Sequence, residues 1–466
     1  MSEWRNQLQE MGREAFILHE MQRLGFWPDN SAEDAGQATA ALARLAEINA
    51  ELAELRNQLQ KLRLKLQTAE EVTALIGRIR QARIQRVQAR REVRRLEKAQ
   101  EAAQRREAFL TRRNRTPFFL GERVSRGLRF ADTPDPRLRQ NGLPELVNAE
   151  ELAAAIDIAP GKLQWLCFDR TVSTVDHYRR FQIPKRSGAM RSIASPKPLL
   201  RKAQDWIRFN VLSKMVPHDR VAMAFRPGKS IADNAKPHAG KAIVVRIDLK
   251  DFFPTVSFAR VKGLFQYVGY NEGVATLLAL LCTETPRAKA VVHGQTYYVA
   301  TGPRVLPQGA CTSPDLSNFI CRKLDVRLDG FAKSLGFTYT RYADDLVFSH
   351  DEARGNVTLL IRVACSIIAA EGFEPNHDKT AIMRRGGRQV VTGLVVNDVP
   401  KVSRRDTRRF RAIAHKCRTD GYVVVSESLG CDARSYLKGY LSFVSMVNEV
   451  QALRLERLCP PGLFDM

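Results

Sequence analysis

The sequence predicts an α/β chain of the α+β kind, with a long helical, coiled-coil-like arm ahead of a mixed body of strands and helices. Three observations carry this. From Ala38 to Phe109 there is no Pro, and the only Gly is Gly77; such a stretch favours long helix or a helical hairpin. Farther on, short apolar runs such as residues 242–247 end in turn residues and alternate with helical periodicity, as in a sheet backed by helices. The last segment, from Ser403 to about Val450, reads as two or three helices, basic at its start (RRDTRRFR) and apolar later (YLKGYLSFVSMV).

Taken in order, residues 1 to about 30 suggest a short helix broken by PDNSAEDAG. Leu45, Ile48, Leu52, Leu55, Leu59, Leu62 and Leu66 then recur at steps of three and four. That is the a/d seam of a coiled coil. It would either join two copies into a homo-oligomer or fold back within one chain. From Arg78 to Arg115 there are fourteen Lys or Arg against four Glu. This basic run is either a solvated face beside a packed seam or an arm that binds RNA or DNA. We place the arm at 1–110, a basic Pro/Gly-containing connector at 111–159, the mixed body at 160–400 and a helical segment at 401–466.

The whole chain of 466 residues carries a net charge of +24. Solubility does not require so much, and a polyanionic partner is the simplest reason. The eight cysteines form no C-x-x-C pair, which argues against a zinc site or a disulfide framework and suits a cytoplasmic protein. No apolar run is long enough to span a membrane, and the first residues lack the apolar core of a signal peptide.

Two elements carry chemistry. Residues 242–247 form an apolar run fit for a buried strand, ending in Asp248, and Asp251, Phe252, Phe253 and Pro254 follow. An acid at the end of a buried strand sits on a rigid support, as a metal ligand requires. In FTYTRYADDLVFSH, residues 337–350, aromatic and β-branched residues flank Asp344 and Asp345. This reads as a hairpin with the acids at its turn. Adjacent buried carboxylates repel unless a cation joins them, and Mg²⁺ prefers such oxygen ligands. One strand-end acid and one hairpin acid would together clamp two divalent ions for phosphoryl transfer. Taken alone, Asp-Asp is an ordinary turn; the pair of elements in a strongly basic chain is what points to polymerase chemistry.

These residues resemble the reverse transcriptases, specifically those of bacterial retrons, and the long arm resembles the myxobacterial branch. Tyr342-Ala343-Asp344-Asp345 is similar to the family's YxDD box, and Asp248 to its first metal-binding acid. The resemblance implies a right-hand fold of fingers, palm and thumb. It implies two Mg²⁺ ions, with Mn²⁺ as a substitute, held by Asp248, Asp344, Asp345 and the backbone carbonyl of Leu249. Phe253 matches the steric gate that favours dNTP over rNTP. Gln308 and Gly309 in VLPQGACTSPDLSNFI match the motif lining the nucleotide and template pocket. Lys185 and Arg191 in the fingers motif are the triphosphate contacts it implies, and Lys379 resembles the palm lysine near the incoming nucleotide.

Asn234 and His238 in NAKPH fit the NAxxH signature of retron enzymes, and Val391-Thr392-Gly393 fits their VTG signature. By resemblance both mark regions that handle the cognate structured RNA, although His238 also suits a structural role. The implied partners are that non-coding RNA, its DNA product, dNTPs and a separate effector protein, and the implied product is branched RNA-linked DNA serving anti-phage defence. Two other readings stay open. One is another bacterial class, group II intron-like, diversity-generating or abortive-infection; the other is a catalytically idle RNA-binding scaffold.

Overall fold

A computed structural model of the chain describes residues 16–17, 20–21, 23–26, 32–65, 69–117, 119–184, 188, 190–215, 220–461 and 463. The short helix expected over residues 1–30 falls largely outside these, as do Leu66 and Lys185. The chain divides into two compact units, Met1–Arg106 and Glu107–Met466. In the first, a helix of 34 residues spans Ala32–Lys65, and a second helix begins at Ala69 and runs to Arg115. Leu45, Ile48, Leu52, Leu55, Leu59 and Leu62 are all exposed on the first of these helices, so among the described residues none covers the seam.

The second unit contains eleven strands among its described residues. They are β1 (Val172–Ser173), β2 (Tyr178–Pro184), β3 (Met190–Pro196), β4 (Ile243–Leu249), β5 (Arg287–Val292), β6 (Gln295–Ala300), β7 (Thr338–Tyr342), β8 (Asp345–His350), β9 (Pro375–Arg384), β10 (Val390–Val391) and β11 (Leu394–Val395). All strand ladders are antiparallel. The principal sheet has the order β7-β8-β4-β9, while β2-β3, β1-β6-β5 and β10-β11 form smaller sheets.

Strand β4 explains the layering. Its residues point alternately to opposite faces. Ile243, Val245, Ile247 and Leu249 enter the main core, and Val244 enters a small second core on the other face. Each such fully buried aliphatic side chain contributes about 1.5–3 kcal/mol. The main core is completed by helices, notably Phe258–Tyr267, Val357–Ala370 and Glu272–Cys282, the last buried at every position from Gly273 to Cys282. C-terminal helices Arg404–Thr419, Gly421–Leu429, Ala433–Val447 and Glu449–Glu456 share a separate core around Phe410, Leu437 and Val444. The mixed α/β character expected from the sequence is therefore present. Among the described residues no helix is long and apolar enough to cross a membrane.

Candidate active site

Three carboxylates meet at one end of the principal sheet. Asp248 is the penultimate residue of β4 and lies opposite Asp345, the first residue of β8. Ala343 and Asp344 are the two loop residues of the β7–β8 hairpin, since Tyr342 pairs with Asp345. Ala343 sits in the left-handed region, at φ 58°, a conformation that costs a non-glycine residue roughly 1 kcal/mol. Two hydrogen bonds hold the turn there: Leu249 N–H donates to the Asp344 carbonyl at 2.9 Å, and Arg341 Nη1 donates to the Ala343 carbonyl at 3.3 Å.

Two cations stand beside the acids. Lys379 Nζ lies 2.9 Å from Asp248 Oδ2, and Asn376 Nδ2 donates to the same oxygen at 3.1 Å. Both come from β9, where the pairing with β4 shifts between Arg246 and Asp248. Asn376 faces Asp248 and Ala381 faces Arg246, so residues 377–380 form a bulge. A bulge re-aims side chains, and here it brings Lys379 to the acid. Arg246, on the same face of β4 two residues before Asp248, places Nε 3.6 Å from Asp345 Oδ1. That Nε is buried without a hydrogen-bond partner.

The acids are nevertheless under-compensated. Burial pushes the Asp344 carboxyl up, and the Asp248 charge adds to this; Lys379 and Arg191 pull it back only in part. Burial likewise pushes Asp345 up to about 7, Asp344 and Asp248 add repulsion, and Arg246 opposes them. Hard carboxylate oxygens that repel one another while half-buried suit a divalent cation such as Mg²⁺. The donor set thus fits the metal that the family implies, although no preassembled group of three or more His, Cys, Asp or Glu side chains arranged for metal occurs among the described residues.

The other expected site residues fall around this cluster, apart from Lys185, which lies outside the described residues. Arg191 is exposed on β3, close enough for its charge to act on Asp344. The loop of Gln308 and Gly309 is clamped to the same strand: Ala194 N–H donates to the Gln308 carbonyl at 2.8 Å. Gly309 has φ 119°, and a Cβ there would come within 2.7 Å of Ile193 Cγ2 and 3.0 Å of the Ala194 oxygen. No other residue fits without moving the strand. Phe253 is half-buried, its ring 5.3 Å from that of Phe252 and 6.4 Å from that of Phe225. The Leu249 side chain is buried in the main core.

The NAKPH and VTG segments place several of their side chains in the interior. Asn234, His238 and Val391 are fully buried, so none of these three side chains is open to an RNA. His238 Nδ1 lies 2.7 Å from Ser349 Oγ and Nε2 lies 2.7 Å from Thr340 Oγ1. Thr340 Oγ1 also donates to Asn234 Oδ1 at 2.7 Å. Burial, with the Lys241 charge adding to it, holds the His238 pKa down at about 3. Thr392 and the exposed Gly393, at φ 47° and 86°, form the β10–β11 turn, and the Thr392 hydroxyl donates to the Ile231 carbonyl at 3.2 Å. Val391 packs with Ala232, Ala235, Val244 and Val347. Both segments therefore form one layer on the face of β4 and β8 that carries Asp248 and Asp345.

A second support was not legible in the sequence. On the opposite face of the hairpin, Arg341 and Asp325 form a wholly buried ion pair at 2.7 Å. Tyr339 donates to Asp325 at 3.0 Å, and Arg341 also donates to Asn318 at 3.0 Å. The signal available was a lone Arg between aromatic strand residues, which by itself suggests a surface position.

Comparison with known proteins agrees with this geometry. The family described as reverse transcriptase (RNA-dependent DNA polymerase) matches residues 183–417. The Mx162 retron reverse transcriptase of Myxococcus xanthus is 46% identical over 67% of this chain and 67% of its own length. The Mx65 retron enzyme of the same organism is 42% identical over 72% of this chain and 77% of its own. The Ec86 retron enzyme of Escherichia coli is 32% identical over 68% and 90%. With its acids gathered at the end of a buried strand and a tight hairpin, this chain belongs to the reverse transcriptases, as an RNA-directed DNA polymerase of the retron type.

Proposed function

We propose that this chain copies a structured non-coding RNA into DNA by extending a hydroxyl primer with dNTPs, and that its product is single-stranded DNA joined to RNA through a branch. The observation that carries this reading is the convergence of Asp248, Asp344 and Asp345, with Lys379 and Arg191 beside them. Asp248, Asp344 and the Leu249 carbonyl would hold two Mg²⁺ ions, or Mn²⁺ in their place, with Asp345 adjacent. When bound, such ions activate the attacking hydroxyl and neutralise charge on the triphosphate and its leaving group. Lys185, Arg191 and Lys379 would meet the phosphates. The Phe253 ring would exclude a ribose 2′-hydroxyl, and Gln308 and Gly309 would line the nucleotide and template pocket.

In this reading fingers, palm and thumb correspond to about 160–240, 241–400 and 401–466, after the connector at 111–159. The basic helix Arg404–Thr419 would track the nucleic-acid backbone. The buried residues of NAKPH and VTG would act on RNA only indirectly, by supporting the sheet, while Thr392 and Gly393 stand at the turn. A separate effector in anti-phage defence is the partner that retron membership suggests.

The test is to express the chain with its neighbouring non-coding locus, extract the bound nucleic acid, and treat it with RNase and debranching enzyme beside Asp344→Asn. The expected result is a discrete single-stranded DNA whose mobility changes on debranching and which the variant lacks. DNA without a 2′ branch would move the chain to another reverse transcriptase class. No DNA even with external primer–template, Mg²⁺ and dNTPs would favour an idle scaffold.

A further inference from the structure

Among the described residues, the helix Ala32–Lys65 leaves an apolar seam from Leu45 to Leu62 without a partner. Leu45, Ile48, Leu52, Leu55, Leu59 and Leu62 follow one another at steps of three and four, and each is between 37% and 57% exposed. In heptad terms Leu45, Leu52 and Leu59 are a positions, and Ile48, Leu55 and Leu62 are d positions. The sequence continues the pattern with Ala38 and Ala41 before it and Leu66 after it. The described seam from Leu45 to Leu62 is about 26 Å long at 1.5 Å per residue. Six large aliphatic side chains in one row on one helix resemble half of an interface more than scattered surface residues.

Three candidates for the cover can be compared. The second long helix, Ala69–Arg115, exposes Ile76, Ile79, Ile84, Val87, Val93 and Leu96. Their spacing of three, five, three, six and three has no a/d register to mesh with the first seam. A nucleic acid offers no apolar row, and this face carries both Glu and Arg. A second copy of the same helix meshes at every step, and the flanking charges then select its direction. In the e and g positions stand Arg44, Asn49, Glu51, Arg56, Gln58 and Arg63, all exposed. Two parallel strands bring g residues to e residues five places later in the partner. Glu51 then meets Arg56 on both sides of the pair, Arg44 meets Asn49, and Gln58 meets Arg63, with no like-charge contact. An antiparallel alignment of the same layers brings Glu51 to Gln58 and offers no opposite-charge pair.

We infer that residues 45–62 are a self-association surface that joins two copies of this chain as a parallel two-stranded coiled coil. The seam contains none of the residues of the polymerase site, so primer extension serves as a control for folding.

The experiment uses the full-length chain, freed of nucleic acid by nuclease and high salt, in sedimentation velocity near 10 µM. The expected species has twice the chain mass of 52.6 kDa. Leu52→Glu with Leu59→Glu is expected to sediment as the single chain while extending an external primer at the unchanged rate. Glu51→Arg alone sets Arg against Arg and is expected to weaken association at least tenfold, and adding Arg56→Glu is expected to restore it. In a Cys431→Ser background, which removes the exposed native thiol, Leu52→Cys places the same a position of the two copies face to face, so mild oxidation is expected to crosslink it while the Cys431→Ser parent gives no such product. A wild type that sediments as a single chain, an assembly larger than two, or a pair that survives the double Leu→Glu change would overturn the inference. Failure of Arg56→Glu to rescue, or of Leu52→Cys to crosslink, would overturn the parallel arrangement.

Discussion

The face of the sheet that carries Arg246, Asp248 and Asp345 at one end carries Val244, Val347 and Ser349 toward the other, and the two ends are built on opposite terms. At the first end three carboxylates are gathered with too little positive charge, and burial lifts the pKa of Asp344 and Asp345. At the second, a neutral His238 is fully buried with both ring nitrogens bonded, inside an aliphatic layer. The site for chemistry holds unmet charge, whereas the supporting layer is neutral: both histidine ring nitrogens are bonded, and Asn234 accepts from Thr340 while its buried Nδ2 has no partner. Polar residues appear in both motifs, and burial and partners separate them.

The largest effect that would sharpen this contrast is at Asp344. Asp344→Asn is expected to lower primer extension about a thousandfold, the upper range for losing one preorganised electrostatic group. In chelator its melting temperature should equal or exceed that of wild type, because a repelling charge is gone. A raised carboxyl pKa means the folded state loses stability as pH climbs toward 7. Added Mg²⁺ should therefore raise the wild-type melting temperature at pH 8 more than the variant's. Equal metal stabilisation in both would break the comparison at its first end.

Next comes the ion pair behind the hairpin. Arg341→Met leaves Asp325 buried without its cation, and should cost about 3–5 kcal/mol in denaturant unfolding. His238 ranks third. Its pKa is near 3 when folded against an ordinary 6.5, so its contribution is complete above pH 6.5 and is lost as pH falls toward 3. At pH 5 the loss is about 2 kcal/mol. His238→Gln should remove that part of the slope between pH 6.5 and 5 while keeping polymerase activity per folded molecule. A wild type with flat stability over this range would break the comparison at its second end. The smallest effect is at Thr392, where Val removes the hydroxyl bond to Ile231 and should cost about 1 kcal/mol.

Much of this architecture was legible in the sequence because it depends on period and punctuation. The apolar run of β4 and the alternating aromatics around Asp344 mark their own strands, and their acids fall at the strand ends. What stayed hidden depends on residues distant in the chain. Asn376 approaches Asp248 only through a register shift in β9. Arg341 is buried only because Asp325 lies within reach on a separate helix. The buried state of Asn234 and His238 required Thr340 and Ser349, more than a hundred positions away, to supply their hydrogen bonds. Sequence identifies such residues as polar, and only the fold says whether water can reach them.

The irregularity in β9 has a consequence for tolerance to length change. Lys379 reaches Asp248 because surplus residues loop out between two correctly paired stretches of strand, so its aim is fixed by counting as well as by chemistry. Removing residue 377, 378 or 380 would leave the three acids in place, yet turn Lys379 away from Asp248. Insertions and deletions across this short stretch should therefore be rarer among functional variants than substitutions at the same positions. A library scanned by length would outline this edge of the site even if it never altered an acidic residue.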